Sequence, residues 1–480
     1  MTITATQPHK IYLAGQWVDS PEVLPVGNPA ADDEPAGATY NATPEQYEQA
    51  VQAAVAAFEE TRRLPAYERS RALREISAGI KGRREELGRI MAQEAGKPIR
   101  DALAEVDRAV FTTRVAAEEA ERIGGEVMPL DLAASSRDRV GITKRFPLGP
   151  IAGISPFNFP LNLALHKIAP AIAAGCSIVL KPASKDPLTM LAATEIIDSV
   201  GLPDGAVSVL PMTRELGDRM VSDERFKLLT FTGSPSVGWR MKDRAGKKKV
   251  VLELGGNAGV IVDETANLDW AVKRILVGGF GYAGQSCISV QRIYVHEAVA
   301  DRFRDQLVAG VQGLKVGDPL DPSTDVGPMV DLENANRIAA WVEDATRQGG
   351  RVLTGGQADG SFFEPTVMEN VPPTAQVCNA EAFAPIVILV TFSDFSDALR
   401  RVNDSAFGLQ SGVFTNDLGH AWQAFNELEV GGVIVNDISN YRIDHMPYGG
   451  VKDSGLSREG LRWSIEDMTE LRIMVLAQPQ

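Results

Sequence analysis

Apolar and polar positions along this chain alternate between two patterns. One is the roughly 3.6-residue spacing of an amphipathic helix; the other is the short unbroken apolar run of a strand buried on both faces. Thr43-Pro44 opens the first helix, with a capping hydroxyl and a proline at the first helical position, and the alanine-rich stretch 45–60 continues it. Residues 68–94 read as one long second helix closed near Gly96-Lys97-Pro98, and 101–122 as a third. From Gly149 the chain changes to short strands, each followed by a helix. Gly149-Pro150-Ile151-Ala152-Gly153-Ile154 enters a strand. Further strands are predicted at 177–180, 206–210, 227–232 and 249–254, with a helix over 189–200. That order predicts a doubly wound parallel sheet. A second α/β series covers 258–437, with strands at 259–262, 290–295, 386–392 and 432–436. Two segments fit neither series: 127–145 reads as a hairpin around 133–138, and 470–476 as a strand with no neighbour in sequence. Such strands pair either with another subunit or at an edge of their own domain.

Length changes the picture first. A chain of 480 residues is too long for one hydrophobic core, so at least two domains are expected. Apolar content of 44% and charged content of 23% are those of an ordinary globular protein. A net charge of −15 argues against a nucleic-acid partner, although one local arginine can still hold an anionic substrate. The three cysteines, Cys176, Cys287 and Cys378, have no CxxC or Cys/His spacing, and the histidines form no HExxH pattern. No metal site and no disulfide framework are expected, and a reducing compartment is. The N-terminal residues lack the apolar stretch of a signal peptide and no run has the length of a membrane span, so a cytoplasmic protein is expected, without a membrane partner.

Three segments carry candidate chemistry. Cys287, in Gly284-Gln285-Ser286-Cys287, is a nucleophile if its thiolate is favoured, or else a structural cysteine. Glu253 ends the apolar run Val250-Val251-Leu252 and precedes two glycines. Strand ends in α/β folds face the ligand crevice, where a partly desolvated carboxylate can act as a general base; the alternative is a surface glutamate. Asn158, in Pro156-Phe157-Asn158-Phe159-Pro160, offers a neutral amide donor suited to a developing oxyanion, or is a turn residue beside proline. Two segments suit a dinucleotide. Lys181 ends a strand, where a ribose or phosphate would be met. Phe231-Thr232-Gly233-Ser234 leads from a strand into a helix whose N-terminus could hold a pyrophosphate.

Together these segments resemble the NAD(P)-dependent aldehyde dehydrogenase superfamily. The resemblance covers nearly the whole chain in order: Pro156–Pro160, Lys181-Pro182-Ala183, Phe231–Ser234, Glu253-Leu254-Gly255-Gly256, Gly284–Cys287, Glu381-Ala382-Phe383-Ala384-Pro385 and Pro447–Gly455. It implies a Rossmann-type cofactor domain (1–126 and 146–255), an α/β catalytic domain (256–455) and a small β oligomerisation element (127–145 and 456–480). It also implies a homodimer or homotetramer. Cys287 would be the nucleophile, Asn158 and the Cys287 N–H the oxyanion hole, and Glu253 the base that hydrolyses the thioester. Ile154, Phe157, Lys181, Ser184, Gly233, Ser234, Val237, Leu254, Glu381 and Phe383 would contact the cofactor. NAD-preferring members often carry Glu where this chain has Ser184. Its absence, with Lys185 adjacent, removes a charge that would repel a 2′-phosphate, so either NAD or NADP is expected.

The helix after Pro160 places Asn162 and His166 on one face, which suggests a small hydrophilic aldehyde, or else a buried structural histidine. In the loop before Pro447, Arg442 could clamp a carboxylate, phosphate or phosphonate, or pair with Asp444. The loop most resembles the lactaldehyde, glyceraldehyde and phosphonoacetaldehyde dehydrogenase branch, with semialdehydes also open. Two rivals are a CoA-acylating dehydrogenase and a non-catalytic structural or binding member of the fold. CoA-acylating members generally lack the glutamate found here at Glu253, and a non-catalytic member would be expected to have lost Cys287 or Glu253.

Overall fold

The computed structural model describes residues 7–31 and 34–477, so the outermost residues of the two terminal segments assigned above lie outside the described residues. The chain builds two large sheets, each flanked by helices, and a separate three-stranded sheet.

The first large sheet has eight strands in the order Gln16–Val18, Ile11–Leu13, Val207–Val209, Ile178–Lys181, Ile151–Ile154, Leu228–Thr232, Lys249–Glu253, Gly455–Leu456. Its five central strands are parallel. From Ile151–Ile154 the chain first runs outward through Ile178–Lys181 and Val207–Val209. It then returns to the other side of Ile151–Ile154 as Leu228–Thr232. The carboxyl ends of Ile151–Ile154 and Leu228–Thr232 therefore flank a switch in strand order, which leaves a crevice between the loops that follow them. Burial on both faces explains why these strands are unbroken apolar runs.

The second sheet has seven strands: Arg351–Thr354, Thr366–Glu369, Ile386–Phe392, Val290–His296, Ala258–Val262, Gln410–Phe414 and Gly432–Val435. All its pairings are parallel except the one at Arg351–Thr354.

The two unassigned segments meet. Thr469–Ala477 pairs antiparallel with Arg139–Pro147 along its whole length, and Val127–Pro129 completes the sheet. Leu471, Ile473, Met474, Val475 and Leu476 stay exposed on it.

Two expectations need revision. The span 68–94 is two helices, Ala66–Gly82 and Arg84–Ala95. Gly82 has the lowest helical preference of any residue but proline, and Arg83 leaves helical geometry at φ −106°, ψ 22°, where its guanidinium reaches Glu86 and Glu195. The strands Ile11–Leu13 and Gln16–Val18 precede the region where strands were expected. At three residues each they are too short to show a period, and only the left-handed turn Ala14-Gly15 marks them.

Candidate active site

Cys287 follows an abrupt backbone reversal. The helix Leu268–Phe280 ends, and Tyr282, Ala283 and Gly284 all take left-handed conformations (φ 47°, 51° and 65°). Two of them carry a Cβ, so the surroundings must hold them there. The Tyr282 hydroxyl donates to the Ala95 carbonyl at 3.0 Å, and its N–H donates to Asp101 at 3.2 Å. Gln285 accepts from the Val330 N–H at 2.7 Å. The Asn158 amide donates to the Gln285 carbonyl at 3.1 Å, which ties the 156–160 loop to the chain two residues before the sulfur. Lys97 fixes the same loop from behind. It donates to the Asn158 carbonyl at 2.6 Å and pairs with Glu105, whose other oxygen accepts the Leu161 and Asn162 N–H groups at 3.0 Å.

Glu253 ends its strand 3% exposed, and neither carboxylate oxygen has a hydrogen-bond partner. Gly449, at φ +152°, passes so close that a Cβ there would sit 2.8 Å from Glu253 Oε1. Burial, then the negative charge of Glu459, hold the Glu253 carboxyl well above the usual range. Glu459 itself is ionised. Burial opposes this, but Lys167 (3.3 Å), His166 and Arg442 (3.0 Å) bring its carboxyl down to about 2. Burial also pushes the Cys287 thiol up to about 12. A Tyr448 hydrogen bond and the Arg442 charge oppose that rise, while Glu381 and Glu253 add to it.

The crevice of the first sheet fits a dinucleotide. Ser234 precedes the helix Pro235–Arg244 without capping it through its side chain; Pro235 has no N–H and Val237 donates to the Ser234 carbonyl at 3.2 Å, which leaves the Ser236 N–H for an anion. Gly233 donates its N–H to the Glu253 carbonyl at 3.0 Å, and a Cβ on it would strike the Phe231 ring. Leu254 packs where a Cβ on Gly238 would lie, and Val237 is partly buried in the same core. Lys181 is buried at its strand end, with Ser184 Oγ at 3.5 Å from Nζ. Burial, then the Arg214 charge, lower the Lys181 ammonium to about 8. Lys185 pairs with Asp331. Across the crevice Glu381 accepts the Gly256 N–H at 3.0 Å, and burial raises its carboxyl to about 7. Phe383, itself left-handed at φ 49°, meets Phe157 edge-to-face at 5.8 Å; Ile154 is buried at the end of the central strand.

On the opposite side, Cys287 opens into a cavity of about 220 Å³. Its walls carry three cations, Lys97, Arg108 and Arg442, against the carboxyls of Asp101 and Glu105, with Phe159, Tyr448 and Asn440 between them. Asn162 and His166 do not line this cavity. Both donate to the buried Asp444, at 3.1 and 2.8 Å, and Asn162 also accepts from Thr112 at 2.9 Å. Burial, then the Arg442 charge, lower the His166 imidazolium, while Asp444 is held below the usual range by His166 and Arg108 despite its burial. Arg108 had no signal in the sequence. It sits on the helix Ile99–Ala120 and grips Asp444 through Nη2 (2.7 Å) and Nε (3.2 Å), while its guanidinium borders the cavity. Arg442 is 6% exposed and lies 3.7 Å from the Tyr448 ring centre, with Nη2 on Glu459.

The chain resembles known proteins along nearly its whole length. The sequence profile of the Aldehyde dehydrogenase family matches residues 17–474. The chain is 42% identical over 476 residues to the 3-sulfolactaldehyde dehydrogenase of Priestia aryabhattai, covering 99% of both proteins. It superposes with a TM-score of 0.97 on aldehyde dehydrogenase 21 of Physcomitrella patens, solved with its reaction product succinate, at 47% identity and covering 98% of this chain and 99% of that one. Glyceraldehyde-3-phosphate dehydrogenase GapN of Methanocaldococcus jannaschii, solved with NADP, follows at a TM-score of 0.91 and 39% identity, covering 95% of this chain and 99% of that one. Matched by the family profile over residues 17–474 and sharing its fold almost end to end with a solved member, this chain belongs to the aldehyde dehydrogenase family.

Proposed function

We propose that this enzyme oxidises a small aldehyde bearing a polar or anionic group to its carboxylic acid, with Cys287, Asn158 and Glu253 as the reacting machinery. The observation that carries the reading is the cavity at Cys287, whose walls hold three cations against two carboxyls. In this reading the Cys287 thiolate attacks the aldehyde carbon. The remaining Asn158 amide hydrogen and the Cys287 N–H face the oxygen that gains charge. A bound dinucleotide would supply the hydride acceptor that turns the Cys287 thiohemiacetal into a thioester. Glu253 then takes a proton from the water that attacks the thioester, and the acid leaves with the sulfur restored. Lys181, Ser184 and the helix after Ser234 would hold the adenosine and pyrophosphate, and Glu381 the nicotinamide ribose. With no acid at position 184 and the Arg214 charge felt at both Lys181 and Lys185, NADP is accepted as well as NAD.

Arg108 and Arg442 would meet the anionic end of the substrate. Asn440 Oδ1, buried without a partner, suits a substrate hydroxyl. The relatives' substrates, 3-sulfolactaldehyde and the aldehyde that yields succinate, share that chemistry: a short chain ending in an anion. Asn162 and His166 act one step back, holding Asp444 and through it Arg108. The buried Glu253 favours hydrolysis over transfer to coenzyme A.

The domain division read from the sequence is kept with one change: Gly455–Leu456 is a strand of the first sheet and Leu461 and Ile465 pack into its core, so Thr469–Ala477 is the part of 456–480 that forms the oligomerisation element with 127–145. The exposed apolar residues of Thr469–Ala477 support a homodimer or homotetramer. No helix of the described residues is long and apolar enough to cross a membrane, in keeping with a cytoplasmic enzyme. The test is a screen of NAD(P)H formation with neutral hydroxyaldehydes and with sulfonate, carboxylate, phosphate and phosphonate aldehydes, using each cofactor with and without coenzyme A. Wild-type activity abolished by Cys287→Ala, with free acid as product, is expected. Acyl-CoA as product, or equal silence of both proteins across the panel, overturns the reading.

A further inference from the structure

The phenol of Tyr448 has no part in the reaction so far, yet it touches the sulfur. Its Oη lies 3.1 Å from Cys287 Sγ. Its ring is buried, and its position is fixed from two directions by one residue. Tyr448 and Glu459 exchange backbone hydrogen bonds of 2.9 and 2.6 Å, and the Glu459 carboxylate accepts from Arg442 Nη2 at 3.0 Å. Arg442 in turn lies 3.7 Å from the centre of the Tyr448 ring. The cation thus lies over the ring, and the hydroxyl of that ring reaches the sulfur.

We propose that Tyr448 is a catalytic residue whose hydroxyl donates to the Cys287 thiolate, with Arg442 as the positioning residue against its ring. In the thiol form either group can be the donor at 3.1 Å. In the thiolate form only the phenol can donate, and the acceptor is then charged. The contact is therefore stronger in the ionised state and shifts the thiol equilibrium toward it. The thiol proton leaves to water while the phenol keeps its own, because burial holds the Tyr448 hydroxyl far above its ordinary range. A guanidinium against the ring face draws electron density from the ring and makes the hydroxyl a better donor. The acidic neighbours Glu253 and Glu381 act against the thiolate, so this donor counters them at the atom that reacts.

The proposal rests on Cys287 being the nucleophile, but its test does not need turnover. Tyr448→Phe removes one oxygen atom and keeps the ring under Arg442. The rate of iodoacetamide alkylation at Cys287 is followed from pH 6 to 10, with Cys287→Ala as the background for the buried Cys176 and Cys378. Loss of a hydrogen bond to a charged acceptor raises a thiol pKa by roughly one to two units. Greater intrinsic nucleophilicity offsets part of the lost thiolate, so alkylation slows by about three- to tenfold. The aldehyde kcat/KM falls by a similar factor, because thiolate attack precedes the hydrolysis that limits kcat, and the melting temperature is unchanged. A Tyr448→Phe enzyme alkylated at the wild-type rate throughout overturns the proposal, even if turnover changes. A wild-type enzyme that alkylates normally but oxidises no aldehyde sinks the functional reading instead.

Discussion

Replacing Arg108 by methionine tests the substrate assignment at one side chain. Arg108 uses Nε and Nη2 on Asp444 and borders the cavity, so Nη1 is left for a ligand. Its side chain is 30% exposed, so part of its attraction for an anion is screened. A charge-assisted hydrogen bond of about 1.5–2 kcal/mol, the lower part of the usual range, corresponds to roughly a ten- to thirtyfold change in affinity. Asp444 keeps Asn162 and His166 as partners, and methionine preserves most of the apolar stem. The assay is kcat/KM for succinate semialdehyde and for lactaldehyde, side by side. The expected result is a ten- to thirtyfold loss with the anionic aldehyde, carried mainly by KM, and less than about a threefold loss with the neutral one. Equal losses on both would mean that Arg108 only braces Asp444 and that the anion is held elsewhere.

Three further results are expected. Asn158→Ala removes an oxyanion donor and lowers kcat by about a hundred- to a thousandfold, with cofactor affinity unchanged in a fluorescence titration. Arg214→Ala raises KM for NADP roughly tenfold while leaving KM for NAD nearly unchanged, since only the former carries a 2′-phosphate. The Glu253 carboxyl is raised, so its basic form appears only as pH climbs above the usual carboxylate range. Steady-state turnover limited by hydrolysis therefore rises with pH through a midpoint above that range, and that limb of the profile is missing in Glu253→Gln.

Legibility in the sequence followed burial and contiguity. The five central strands of the first sheet, and Ala258–Val262, Val290–His296 and Ile386–Phe392 of the second, are short, largely apolar runs whose ends the sequence places within a residue or two, whereas the interior strands Thr366–Glu369 and Gln410–Phe414 carry polar residues and a glycine and are not read from it. The break at Arg83 was hidden because helical spacing continues through it, and the short N-terminal strands offered too few residues for a pattern. Glu253, Asn158 and Cys287 each stand within a recognisable local segment. Arg108 does not. It lies on a helix whose charged positions look like a solvated face, and only the fold brings it to Asp444. The same fold explains Asn162 and His166. The helix Asn162–Ala174 is buried all round, so its polar side chains need partners, and they find them in Asp444 beneath the cavity wall. The hydroxyl of Tyr448 also left no trace in the sequence, because a Pro-aromatic-Gly-Gly turn says nothing about which atom the ring will meet.

The acyl-enzyme can be seen directly. Glu253→Gln mixed with succinate semialdehyde and NADP, quenched in acid within a second and analysed by peptide mass spectrometry, should show one burst of NADPH per active site. The peptide containing Cys287 should gain the mass of the succinyl group. A burst without that acylated peptide, or acylation on Cys176 or Cys378 instead, would contradict the account.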